Sequence, residues 1–352
     1  MALSKVQQSI WERSRAIGAG GQAVVLTEGM CAYLVGRIVI DLGLQSQFPE
    51  IPPDLPEFYA CGNVDELQLQ CENSRILFER LVQVALDAET YYACIATLHK
   101  ARLKYQRILQ TQPVSTLEQV GPRALLQYGQ MSARGLAGLL FWRKWFYDID
   151  NRAGQETGYL FEPIIAYSIG GVPVPASKSP VKRHRARKKG RQVDCVLEQK
   201  AYEFKLRVTI AASGQGRWRE ELDYPIDCKK SGFVPILVVL DSTPNPKLEE
   251  LVIAFKSQGG ETYLGDAAWR HLESLAGKNM AKFLDKYVRK PLDELLGEGT
   301  IELPVFEARA GADQMTLKLG KEELIIQRHP DIFSDDSNGD ELPEDIIDEI
   351  PG

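Results

Sequence analysis

Three ionisable side chains stand at every second position of one short segment: Glu203, Lys205 and Arg207 within "AYEFKLRVTI", 201–210. Successive side chains on a strand point to opposite faces, so the other face reads Tyr202, Phe204, Leu206, Val208 and Ile210. Just upstream, "RQVDCVLEQK" sets Asp194 among Val193, Cys195, Val196 and Leu197. A short connection around Glu198, Gln199 and Lys200 would fold the two segments into a hairpin and bring Asp194 beside Glu203 and Lys205. Carboxylates of this kind hold a magnesium ion that keeps sites free for water and for a phosphate oxygen. A lysine beside them stabilises developing charge or helps to deprotonate the water. Together these are the requirements for hydrolysing a phosphodiester. A solvated antiparallel face would give the same alternation with no chemistry.

The segment in front of Asp194 favours the chemical reading. "KSPVKRHRARKKGR", 178–191, carries eight Lys or Arg, one His and no acid. A block of like charge reads as a flexible loop that seeks a polyanion, with a merely solvated loop as the alternative. Running straight into the carboxylate strand, it suits a phosphodiester substrate. The net charge of −6 conceals this balance. The last nineteen residues, 334–352, hold eight acids and no base, so the remaining body stands at +2. Such a tail is expected to be solvated and without fixed structure.

The elements that must position these residues follow from pattern. At 352 residues the chain suffices for one large α/β domain or two smaller ones. Residues 1–150 read as mostly helical, with one or two helices over 64–108 and an aromatic helix over 132–150 that belongs to the core or to a subunit interface. From 155 another helix runs to Gly170-Gly171, a stop signal. The basic loop and the two strands follow, and after "SGQGRWREELDYP" comes "FVPILVVLD", a continuous apolar run typical of a strand covered on both faces. "NPKLEELVIAFKSQGG" is a helix, "ETYLG" a short strand, and two more helices occupy 266–296. Residues 299–333 form a peripheral segment that adds a hairpin. The expected organisation is a helical region at 1–150, which embraces DNA or dimerises, a catalytic core at 151–298, the peripheral segment, and the tail.

Several classes are excluded. No apolar run of eighteen residues implies a membrane-spanning helix, and the amino terminus lacks the layout of a secretory signal. A cytoplasmic, bacterial location is the expectation. The six cysteines and four histidines have no zinc-ligand spacing, and neither Cys195 nor Cys228 has a visible His partner for thiol catalysis. "GAGGQA" near residue 18 follows no convincing strand and lacks the dinucleotide-binding spacing.

Asp194, eight intervening residues, then Glu203-Phe204-Lys205 resembles the PD-(D/E)XK nuclease signature. The run "RQVDC…AYEFKLRVTIAASGQGRWREEL…DC…SGFVPILVVLD" is similar to type II restriction endonucleases of the ApaLI-like group, over about residues 150–295. Val193 replaces the proline of the signature. The resemblance implies a restriction-endonuclease-like α/β core with a mixed sheet flanked by helices. It implies that Asp194, Glu203 and the backbone carbonyl of Phe204 hold Mg2+, and that Lys205 assists the attacking water. It implies a further Glu from the preceding helix, with Glu162 fitting and Glu156 competing. The expected products are 5′-phosphate ends on double-stranded DNA, cut by a homodimer whose subunits each read a half-site, with a cognate DNA methyltransferase in the same system.

"SGQGRWR" then offers Ser213, Gln215, Arg217 and Arg219 on a glycine-rich segment for base-edge contacts, or for phosphate contacts alone. Lys182, Arg183, Arg185, Lys188 and Lys189 are assigned to sequence-blind backbone contacts, with Arg207 beside them. Two rivals remain: a repair or junction-resolving nuclease of the same superfamily, and a DNA-binding protein without catalysis.

Overall fold

The computed structural model describes residues 3–17, 23–59, 63–71, 73–206, 215–241, 243–244, 246–297 and 305–328, without the side chains of 154–159, 215–217 and 295–297. The chain opens with α1 (Lys5–Ser14), a two-strand ribbon of β1 (Ala16–Ile17) and β2 (Val24–Val25), and α2 (Glu28–Leu42). Thr27 caps α2, its side chain accepting from the Met30 N–H, and Gly43 ends it in the left-handed conformation. Every residue from Met30 to Val39 is buried. A helix apolar on all sides belongs inside a core, and α3 (Ser74–Val84) and α4 (Ala88–Thr111) pack against it.

After α5 (Leu117–Leu125), a single helix of 36 residues, α6 (Ala133–Ser168), spans what the sequence suggests are two helices. It runs across the expected boundary at 150. Gly170, at φ +78, closes it, with the Gly171 N–H bonded back to the Ala166 carbonyl. Next come β3 (Val172–Val174), β4 (Lys182–Arg183), β5 (Ala186–Gly190), β6 (Val193–Leu197) and β7 (Lys200–Lys205). Then follow α7 (Gln215–Lys230), β8 (Val234–Val239), α8 (Pro246–Ser257), β9 (Glu261–Leu264), α9 (Asp266–Leu275), α10 (Lys278–Leu284), one π-helical turn and α11 (Lys290–Gly297).

The central sheet has the order β3-β6-β7-β8-β9. Its first two pairings are antiparallel and its last two parallel. This is the expected mixed sheet. Helices cover both faces, as parallel strands require. Tyr202, Phe204, Ile236 and Val238 face a large core shared with α2, α4, α6 and α10. Ala201, Leu237 and Val239 face a smaller one made with Tyr224 of α7 and Leu248, Leu251 and Phe255 of α8. The large core draws on residues from Trp11 to Val288.

Three expectations need correction. The basic block is not a loose loop: Lys182 and Arg183 pair with β5 in an antiparallel ribbon. "SGQGRWR", expected as a glycine-rich segment, is helical from Gln215 onward, where α7 begins. The peripheral segment holds three strands rather than two: β10 (Phe306–Ala310), β11 (Gln314–Leu319) and β12 (Glu322–Gln327), laid over Trp145 and Ile149 of α6 through Met315 and Ile326.

Candidate active site

The ladder between β6 and β7 runs from Leu197 opposite Lys200 to Cys195 opposite Tyr202. Beyond that pair the Phe204 N–H turns to a side chain, donating to Asp194 Oδ2 at 2.8 Å. The aspartate therefore replaces a backbone acceptor where the two strands part. On the other side β7 stays paired with β8 through Glu203 opposite Leu237 and Lys205 opposite Val239. One edge is rigid and the other open.

Glu203 and Lys205 share the face of Ala201, and α7 covers it. Their side chains are only 17% and 22% exposed, so the solvated-face alternative fails. Lys205 Nζ lies 2.8 Å from Glu203 Oε1 and 3.8 Å from Glu221 Oε1. Glu162 reaches the group from α6. Burial first, then the charge of Glu203, pushes its carboxyl up to about 7, with Lys205 pulling the other way. Burial, then Glu203 and Glu162, holds the Asp194 carboxyl well above its ordinary range, only partly offset by Lys205 and the Phe204 N–H. For Lys205 burial opposes the charge, but Glu203, Glu221 and Asp194 outweigh it and keep the ammonium protonated above the usual lysine range. Three acids that feel one another around one ammonium form a site short of positive charge.

That shortage is what a divalent cation relieves. Among the described residues, no three His, Cys, Asp or Glu side chains converge closely enough to cage a metal by themselves. Magnesium asks for less: one or two carboxylates, with water and phosphate completing its shell. Asp194 and Glu203, all-oxygen donors on adjacent strands, fit it.

The structure thus brings Asp194, Glu203, Lys205 and Glu162 together, with Phe204 supplying backbone while its ring is buried in the core. The Glu156 side chain lies outside the described residues, as do Arg207 and Ser213 and the side chains of Gln215 and Arg217. Arg219 is exposed on α7. The basic residues divide into two sets. Arg183 pairs with Glu220 at 2.6 Å and Arg185 with Asp223 at 3.2 Å, and the Lys182 ammonium bonds the Ser179 carbonyl. Arg187, Lys188 and Lys189 of β5 face solvent.

Sequence reasoning missed the residues that fix this arrangement. Asp227, 1% exposed, accepts from the backbone N–H of His184, meets the His184 ring at 2.6 Å and pairs with Arg191 at 2.7 Å. The Tyr224 hydroxyl donates to the Tyr202 carbonyl at 2.9 Å, tying α7 to β7. Glu221 was missed as well. The signal was the apolar spacing of Trp218, Leu222, Tyr224 and Cys228, which marks one face of a helix.

Comparison with known proteins identifies the family. The model of the ApaLI-like restriction endonuclease family matches residues 61–289. The chain is 44% identical over 328 residues to the type II restriction enzyme ApaLI of Acetobacter pasteurianus, covering 85% of this chain and 87% of the relative. No solved structure matches. The chain belongs to the ApaLI-like restriction endonucleases.

Proposed function

We propose that this restriction endonuclease cleaves double-stranded DNA at a specific sequence by Mg2+-dependent hydrolysis, leaving 5′-phosphate ends. The observation that carries the reading is the convergence of Asp194, Glu203 and Glu162 around the Lys205 ammonium where β6 and β7 part. Asp194 and Glu203, with the Phe204 carbonyl between Glu203 and Lys205, would hold the cation. Bound there, magnesium supplies a Lewis acid for a phosphate oxygen and lowers the pKa of a bound water. The Phe204 N–H fixes the orientation of Asp194. Lys205, held charged by its neighbours, would orient the water and stabilise charge building on the phosphate. Glu162 adds negative charge on the side of α6.

The exposed basic residues of β5 supply sequence-blind phosphate contacts, while Arg219 stands near the start of α7, the helix packed on the face of Glu203 and Lys205, where base-edge contacts would arise. A homodimer suits a palindromic target. A cognate methyltransferase protecting the host DNA in the bacterial cytoplasm completes the scheme.

The test is incubation of the purified protein with plasmid DNA in magnesium or in chelator, followed by sequencing of the ends. One recurrent site with 5′-phosphates, formed only with the metal, is the expected result. Cleavage of branched DNA without a target sequence would point to a junction-resolving enzyme instead. Lys205→Ala and Asp194→Ala are expected to retain DNA binding and to lose cutting by about 100-fold or more, the scale of deleting one charge-stabilising group. Either variant cutting at the parent rate would sink the assignment.

A further inference from the structure

Glu221 stands in the position of a second anionic partner for Lys205. The ammonium lies between two carboxylates carried by different elements, 2.8 Å from Glu203 Oε1 on its own strand and 3.8 Å from Glu221 Oε1 on α7. The helix carrying Glu221 is fixed relative to β7. Tyr224, three residues further on and so on the same helical face, donates to the Tyr202 carbonyl and stacks on Phe255 at 5.7 Å. Asp227, a further turn on, is held by Arg191 and His184. Glu221 therefore approaches Lys205 from a helix fixed at two points.

Two demands fall on Glu203 in the proposed mechanism. It must give an oxygen to the cation, and in this structure it also holds Lys205. A carboxylate oxygen committed to a divalent ion is a poor partner for an ammonium, because the two cations repel across it. Lys205, half-buried, then needs another anion. We propose that Glu221 is a positioning residue that takes the Lys205 ammonium when Glu203 engages the metal, directing it at the scissile phosphate. The change is small. Closing the gap to a charge-assisted hydrogen bond of about 2.8 Å needs only rotation about the terminal bonds of two flexible side chains. This inference rests on the nuclease reading above, and it assigns Glu221 no direct contact with substrate.

The experiment is a double-mutant cycle between Lys205→Ala and Glu221→Gln, read by single-turnover cleavage at saturating Mg2+. DNA affinity in chelator and thermal midpoint are measured on the same proteins. Glu221→Gln keeps the shape and removes the charge. The expected result is a rate loss of about tenfold, typical of one lost charge-assisted contact, with DNA affinity in chelator and midpoint close to the parent. In the Lys205→Ala background the same substitution should cost nothing further, and Glu221→Asp should recover part of the rate.

Rate losses that multiply in the double variant would overturn the proposal. So would a Glu221→Gln protein that cuts at the parent rate, or one whose only defect is a higher Mg2+ requirement, which would make Glu221 a metal ligand. If Glu221→Gln lowers the midpoint, Glu221→Asp decides: rate recovered at an unchanged low midpoint supports positioning, and rate that tracks midpoint refutes it. Should Lys205→Ala itself cut normally, the nuclease reading falls first. Should only Glu221→Gln be silent, this inference alone is lost.

Discussion

At the scale of single residues, the site is held together by frustration. Glu162 and Asp194 are both pushed up by burial and by neighbouring carboxylates, so much of the group carries protons that a cation must expel. Metal binding to such a site releases protons. The sign is fixed: below about 7 the Glu162 carboxyl is protonated and withholds its charge from the metal, so apparent affinity rises as pH rises through about 7. Calorimetric titration with Ca2+, which occupies such sites without being the proposed catalytic ion, should show proton release at pH 6 and much less at pH 8.5. Glu162→Gln should remove part of that difference. Affinity flat from pH 6 to 8.5 would mean that the carboxylates do not bind the ion. Asp194, Glu203 and Lys205 were legible from sequence because strand periodicity alone places two of them on one face and a short turn brings in the third. Glu221 was not, because its proximity to Lys205 depends on how a helix docks across the sheet, which no local pattern records.

At the scale of elements, α7 governs the basic ribbon. Its acids Glu220, Asp223 and Asp227 follow one another at helical spacing and meet Arg183, Arg185 and Arg191 in turn. Charge that looks free in the sequence is therefore unequal in the fold. Lys188→Ala with Lys189→Ala is expected to flatten the dependence of log Kd on log salt by about 1.8, two phosphate contacts at about 0.9 each. Arg183→Ala with Arg185→Ala should change it less, since those guanidiniums already face acids. Equal slopes for the two pairs would show that DNA strips the α7 partners away. Asp227→Asn breaks a buried pair and should cost about 3–5 kcal/mol in chemical denaturation, with trypsin cutting the ribbon near Arg187 faster than in the parent; an unchanged denaturation midpoint would show that the pair does not anchor the ribbon. Both α7 and the continuity of α6 were misread for the same reason. Gly214, Gly216 and Pro225 around α7, and Gly154 and Gly158 within α6, carry poor helix propensity. The apolar faces packed on the sheet and on α4 override it. By contrast β8, α8 and β9 were readable, because their apolar patterns and glycine stops agree with the final packing.

At the scale of the whole molecule, one core joins the amino-terminal helices to the sheet and to the last helices. Asp41 shows how closely: its side chain, 3% exposed on α2, accepts from Arg37, from Tyr91 of α4, and from Lys286 and Tyr287 beyond α10. No composition shift near residue 150 could reveal that, since the contacts connect residues more than two hundred positions apart. Within this core His99 is wholly buried between Tyr33 and Phe58, and neither ring nitrogen has a hydrogen-bond partner among the described residues. Burial, then Arg102, pulls its pKa down to about 4. The unfolded chain protonates this histidine near its ordinary value of about 6.5 and the folded one does not. Stability from His99 is therefore complete above about 6.5 and is lost as pH falls towards 4, by about 3 kcal/mol at the lower end. The raised carboxyls of the site act in the opposite sense, because the folded state keeps their protons as pH falls. Total stability against pH thus mixes two trends, and only a difference separates them. The parent and His99→Leu should be unfolded in guanidinium at pH 8 and at pH 5, followed by both tryptophan fluorescence and far-ultraviolet dichroism. The parent should lose stability relative to His99→Leu on acidification, and the two probes should report one transition, because Trp11 and Trp269 lie in the same core. A constant difference between the proteins would show that His99 is protonated inside the fold, and separated transitions would show that the shared core does not bind the two halves into one cooperative unit.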